Sequence, residues 1–164
     1  VAKATLDPKF LPLLEERRIA SLGTLNEDGS PHLTAVWYLY QDGYFFVATS
    51  SRSRKARNLA KRPTATLMVE ARKPGSELGV TATGSVEIVS GEKAHQFNLQ
   101  IHRRYLSAAA IADPQVGGVF AQFDDIALKL RPRVWTWWDM PELDAMYFGG
   151  RFGSTPGYLL PQET

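Results

Sequence analysis

Residues 44–70 read YFFVATSSRSRKARNLAKRPTATLMVE, and the changes of character along this run decide the fold. The first seven residues are aromatic and β-branched, which suits a strand. Residues 51–62 hold Arg52, Arg54, Lys55, Arg57, Lys61 and Arg62 with no acid, and read as a short polar helix. Pro63 ends it, because the residue before a proline avoids the helical region. Residues 64–71 return to a strand pattern. Upstream, IASLGTLN (19–26), the turn cluster EDGS (27–30) and HLTAVWYLY (32–40) make a hairpin. Gln41-Asp42-Gly43 makes a second tight turn into residues 44–50. Two hairpins in succession give an antiparallel meander. Before them, Asp7-Pro8 reads as a helix start, with Asp as N-cap and Pro at the first helical position.

Downstream, VTATGSVEIVS (80–90) alternates small and apolar residues along a strand. EKAHQFNLQIHRRYL (92–106) sets Ala94, Phe97, Ile101 and Tyr105 on one stripe of an amphipathic helix. A connector with room for one more short helix leads to a last strand, IALKLRPRVWTWW (126–138). From about residue 140 a tail rich in glycine and proline shows no period. The expectation is one domain over residues 1–164, mainly β, with six antiparallel strands and inserted helices. Strands of this kind need closure or cover to hide their edges, so a small barrel is the economical form. The first turns are too short for parallel crossovers, which argues against a doubly wound fold.

Composition narrows the chemistry. The 164 residues include no cysteine, which excludes a disulfide scaffold, a thiol nucleophile, a zinc finger and an iron–sulfur site. Apolar residues at 44% suffice for a core, and the net charge of +2 says little about partners. No apolar run reaches a membrane span and the first residues lack a signal-peptide core, so a cytoplasmic protein with no membrane contact is expected. His95 and His102 lie seven apart on one helix, about 10.5 Å along its axis, so one metal cannot take both. No metal site is expected. No phosphate-binding or dinucleotide glycine motif and no Gly-x-Ser-x-Gly elbow occurs, and no catalytic residue stands out.

The basic helix contains a conflict. A helix dipole puts positive potential at its N-terminus, yet four cations stand near this start, after Thr49-Ser50-Ser51. An anion resolves it, because free N–H groups, hydroxyls and cationic side chains then converge on a phosphate. A solvated basic face and a nucleic-acid contact are the other readings of these residues. Trp135 and Trp137 share one face of the last strand, where they would wall a ring-shaped ligand or pack in the barrel.

The run 44–70 resembles the pyridoxamine-5′-phosphate-oxidase-like, FMN-binding split-barrel superfamily. Thr49-Ser50, Ser53-Arg54-Lys55 and Pro63 occupy the places of its phosphate-binding segment, and ASLGTLNEDGSPHLTAVWY (20–38) resembles its opening hairpin. The RKARNL helix (54–59) is most similar to the branch that uses the deazaflavin F420. The resemblance implies a six-stranded split barrel and a homodimer with cofactor at the interface. It implies that Arg54 and Lys55 grip the phosphate, that Thr49, Ser50 and Ser53 support it, and that the main chain of Thr34, Ala35 and Val36 runs along the ring. Trp137 joins these as a candidate wall. RPRVWTWWDM (131–140) stands where pyridoxamine phosphate oxidases carry an Arg/His-rich substrate motif, which argues against vitamin B6 oxidation. The expected function is hydride transfer between F420, slightly preferred, or FMN and a small organic substrate. A non-catalytic flavin, deazaflavin or tetrapyrrole (haem- or biliverdin-like) binder is the alternative. A nucleic-acid-binding barrel ranks last, because the cations sit on one helix and not across a strand face, so no nucleic-acid partner is expected.

Overall fold

The computed structural model describes residues 2–160. Asp7 caps a 3₁₀ turn (Pro8–Phe10), its Oδ1 accepting from the Lys9 amide at 3.1 Å, and α1 (Leu11–Glu15) follows. The strands are β1 (Ala20–Leu25), β2 (Pro31–Val36), β3 (Leu39–Gln41), β4 (Tyr44–Thr49), β5 (Thr64–Ala71), β6 (Leu78–Ser90) and β7 (Ile126–Asp139). Helix α2 (Arg54–Lys61) joins β4 to β5, and α3 (Gly91–Tyr105), α4 (Ala108–Ala112) and α5 (Gly117–Phe123) lie between β6 and β7. Beyond β7 come α6 (Met140–Leu143), a π-helical turn (Asp144–Phe148) and α7 (Arg151–Ser154).

All seven strands form one antiparallel sheet in the order β2-β1-β5-β6-β7-β4-β3. Its two edge strands, β2 and β3, are separated in the chain by only Trp37 and Tyr38. The sheet therefore has to roll until its edges nearly meet, which makes it an open, split barrel. The expected strand over 32–40 is broken at this link, and the break turns six strands into seven. Its cause is a side chain from far along the chain. Tyr105 Oη accepts from the Tyr38 amide at 3.3 Å and contacts the Tyr38 carbonyl at the same distance, replacing strand partners there.

Inward-facing Leu22, Phe45, Leu67, Val69, Val80 and Leu128 fill the barrel, with Tyr38 and Trp135 buried among them. Phe10, Leu13 and Leu14 of the N-terminal helical segment and Ala56 and Leu59 of α2 join the same core. Tyr38 Oη donates to the Leu14 carbonyl at 3.0 Å, and burial pushes this phenol up to about 12. Helix α3 packs outside, where Phe97 stacks on Phe46 of β4 at 4.0 Å. Among the described residues no helix is long and apolar enough to cross a membrane.

The tail holds short helices where no period is visible. Buried Asp144 organises them, its carboxylate accepting from the amides of Phe152 and Gly153, both at 2.8 Å.

Candidate functional site

The site grows from the passage between β4 and α2. Thr49 ends β4 opposite Ile126, the first residue of β7. Ser53 is the N-cap of α2, its Oγ accepting from the Ala56 amide at 3.3 Å. Thr49 Oγ1 donates to that same Ser53 Oγ at 3.2 Å. The Ser50 carbonyl accepts the Ser53 amide at 3.0 Å, and Ser50 Oγ accepts the Arg52 amide at 3.2 Å. Ser51 donates both its amide and its hydroxyl to Asp125, each at 2.6 Å, and these bonds hold that carboxyl below the usual aspartate range. The hydroxyl-rich loop is thus fastened to the start of β7, and the first turn of α2 is fixed.

Two clefts flank this turn. The smaller, about 280 Å³, is walled by Ala35, Val36 and Trp37 at the β2 edge, Thr49, Lys55 and Asp124. Phe120 completes it, stacking on Trp37 at 5.3 Å, while Tyr105 stacks on Trp37 at 5.0 Å and 3°. Lys55 is half-buried and makes no hydrogen bond or ion pair with any described residue. Burial pushes its ammonium below the usual lysine range, and the Asp124 charge only partly opposes this. A desolvated, unpaired cation facing an aromatic-walled cleft is a seat for an anionic group on a flat ligand.

The larger cleft, about 620 Å³, lies between α2 and the β1–β2 turn and is lined by Arg54, Arg57, Asn58 and Asp28 among others. Lys61 and Arg62 are engaged there structurally. Lys61 pairs with Glu27 at 2.7 Å, and Arg62 donates to the carbonyls of Asn26 and Glu27. Arg54 and Arg57 have no acidic partner within salt-bridge distance among the described residues.

Of the residues picked from sequence, Ala35, Val36, Thr49 and Lys55 therefore meet at one cleft. Ser50 and Ser53 stand behind it and shape the loop. Arg54 faces the other cleft, because consecutive helical residues point about 100° apart. Thr34 sits on β2 opposite Leu22, its hydroxyl toward the Ala35 carbonyl at 3.4 Å, and does not line the cleft. Trp137 is elsewhere. It packs on Phe10 at 5.6 Å with Lys3 Nζ 4.7 Å above its ring. Thr49 pairs with residue 126 at the start of β7, so a side chain near that long strand's far end lies away from the cleft of its own chain. Sequence reading passed over Trp37, Phe120 and Asp124 as site residues. The aromatic doublet Trp37-Tyr38 inside a strand, and an acidic pair just before one, were the available signals.

Residues 6–136 match the family model described as pyridoxamine 5′-phosphate oxidase. The chain belongs to that family. Among functionally curated proteins no sequence matches significantly. Solved structures share the fold. A conserved hypothetical protein from Mycobacterium tuberculosis is 24% identical over 98% of this chain and 91% of its own, with a TM-score of 0.70. A structure titled F420 reductase is 21% identical over 80% and 98%, TM-score 0.62. The haem storage protein HutZ of Vibrio cholerae is 21% identical over 82% and 94%, TM-score 0.62.

Proposed function

We propose that this protein is an oxidoreductase that binds F420, in preference to FMN, with the cofactor's ring against Ala35, Val36 and Trp37 and its phosphate at Lys55. The observation that carries the reading is the half-buried, unpaired Lys55 ammonium beside that aromatic-walled cleft. When bound, the cofactor supplies hydride chemistry; the protein fixes, shields and tunes it. Thr49, Ser50 and Ser53 keep the first turn of α2 in place, and Trp37 and Phe120 exclude water from one wall. The preference for F420 rests on Arg54 and Arg57, whose charges are not neutralised by salt bridges and extend the basic surface around α2 toward an acidic tail that FMN lacks. The F420 reductase among the fold's neighbours accords with this. A haem-binding reading is the alternative, and among the described residues the smaller cleft is lined by no histidine. We further propose that two copies assemble and complete the site together.

The test is a visible-absorption titration of the purified protein with F420 and with FMN. Saturable binding, tighter for F420, is expected. Tight FMN binding without F420 binding reverses the cofactor, and binding of neither overturns the reading.

A further inference from the structure

Asp124 belongs to two cavities at once. It lines the smaller cleft with Lys55, and also a separate cavity of about 220 Å³ lined by His95, Asn98, His102 and residues of α4 and α5. Its Oδ2 stands 2.8 Å from Nε2 of His102, a buried imidazole on α3 tilted against Phe120 at 5.2 Å. Other bonds tether the same stretch. Asn98 Nδ2 already donates to the carbonyls of Asp124 and Ile126, at 2.8 and 3.0 Å, and Asp125 is tied to Ser51. The Asn98 Oδ1 is buried and has no partner among the described residues. A carboxylate on one side and an imidazole on the other make the pair a bridge between the outer cavity and the cleft.

We propose that Asp124 delivers a proton into the cleft and that His102 recharges it from the outer cavity. The proposal rests on the cofactor reading above. Reduction by a hydride donor needs one proton for each hydride. The reduced cofactor would supply both electrons as hydride to one end of the substrate's conjugated system, and the other end takes the proton from the Asp124 carboxyl group. The Asp124 O–H bond breaks and the new substrate bond to hydrogen forms. One solvent proton enters at His102 and one leaves from the ring N–H of the oxidised cofactor, so charge and protons balance over the cycle. The other titratable groups facing the pair are Lys55 across the cleft, His95 in the outer cavity, and Asp125 with Arg52 beside it.

The test compares Asp124→Asn and His102→Gln with the wild-type protein. Both changes keep a side-chain donor or acceptor between the two positions. Donation by Asp124 requires that the loaded cleft hold its proton, so F420 binding should draw a fraction of a proton from the buffer. Calorimetric F420 titrations in buffers of different ionisation enthalpy measure that fraction. Uptake is expected in the wild type, in His95→Ala, and in Lys55→Arg, whose guanidinium stays charged; it is expected to vanish in Asp124→Asn. With reduced F420 and menadione as the probe acceptor, kcat should fall about a hundredfold in Asp124→Asn and about tenfold in His102→Gln. KM should stay within about threefold, and F420 should bind more tightly to Asp124→Asn, which no longer has a proton to take up. Unchanged uptake and kcat in an Asp124→Asn protein that binds F420 overturn the proposal. If that variant does not fold, the kcat of His102→Gln decides, an unchanged value overturning the proposal, and if menadione is not reduced, proton uptake in Asp124→Asn decides alone. A wild-type protein that binds neither cofactor overturns the cofactor reading instead, and this proposal falls with it.

Discussion

At the scale of a single residue, the electrostatics of the cleft centre on Lys55. Its ammonium loses part of its hydration without gaining a partner, so burial lowers its proton affinity. Replacing it with alanine should weaken F420 or FMN binding by about 1.5–3 kcal/mol, the range for hydrogen bonds to charged groups. That is about tenfold to a hundredfold in dissociation constant, read by absorption titration. The apoprotein should keep or slightly raise its melting temperature, since an uncompensated buried charge is removed. Arg62→Ala is the contrasting control: it should cost about 1 kcal/mol of stability through its lost bonds to Asn26 and Glu27, with little change in affinity. The pH dependence follows in sign. Between Lys55's lowered value and the ordinary lysine range, the unfolded chain holds a proton that the folded chain has released. Apoprotein stability therefore rises with pH through that window. Phosphate affinity falls across the same window, because the cation is lost, and Lys55→Arg should flatten that fall.

At the scale of elements, β6 and β7 form the long antiparallel pair at the middle of the sheet, and their register shifts between Thr83 and Gly84. A Cβ at Gly84 would stand 1.9 Å from the Arg131 carbonyl oxygen, a backbone atom that cannot swing aside. Gly84→Ala should therefore lose about 2–3 kcal/mol in urea unfolding. Gly118→Ala, where a Cβ meets nothing within 4 Å inside α5, should be neutral or gain about 0.4–1 kcal/mol. Elements whose limits rest on local chemistry were legible in the sequence. Strand β5 runs over residues 64–71 as its pattern indicates, and α2 ends before Pro63, but it begins at Arg54 and not at residue 51, because the Ser53 hydroxyl caps it. The break at Trp37-Tyr38 was not legible, because Tyr105 imposes it from 67 residues away. The opposite facing of Arg54 and Lys55 could have been read from helical geometry alone. The position of Trp137 could not, since it depends on which end of β7 meets β4.

At the scale of the whole molecule, the rolled sheet leaves apolar surface outside its core. Leu25 is 47% and Leu33 70% exposed, beside a groove of about 530 Å³ that also includes Met68 and Pro31. Contiguous apolar surface of this kind is what a second copy would cover. Light scattering should return about twice 18.3 kDa, and Leu33→Glu should shift the population to monomer and weaken cofactor binding together. A wild-type monomer at micromolar concentration would remove the shared site from the proposal. Barrel class and antiparallel order were legible because short turns leave few topologies. Which surface stays bare was not, since it depends on how far the sheet rolls.

Trp37, held between Tyr105 and Phe120, has an optical consequence. Among the described residues it is the only tryptophan lining the smaller cleft, while Trp135, Trp137 and Trp138 stand on the far half of β7. A conjugated ring that absorbs where indole emits, seated in that cleft, takes up excitation energy from Trp37 at near contact. Occupancy is therefore written into the intrinsic fluorescence, and Trp37→Phe, which preserves an aromatic wall, should remove the steepest part of the quenching. The residue that links the sheet's two edges is also the one that reports when the cleft is filled.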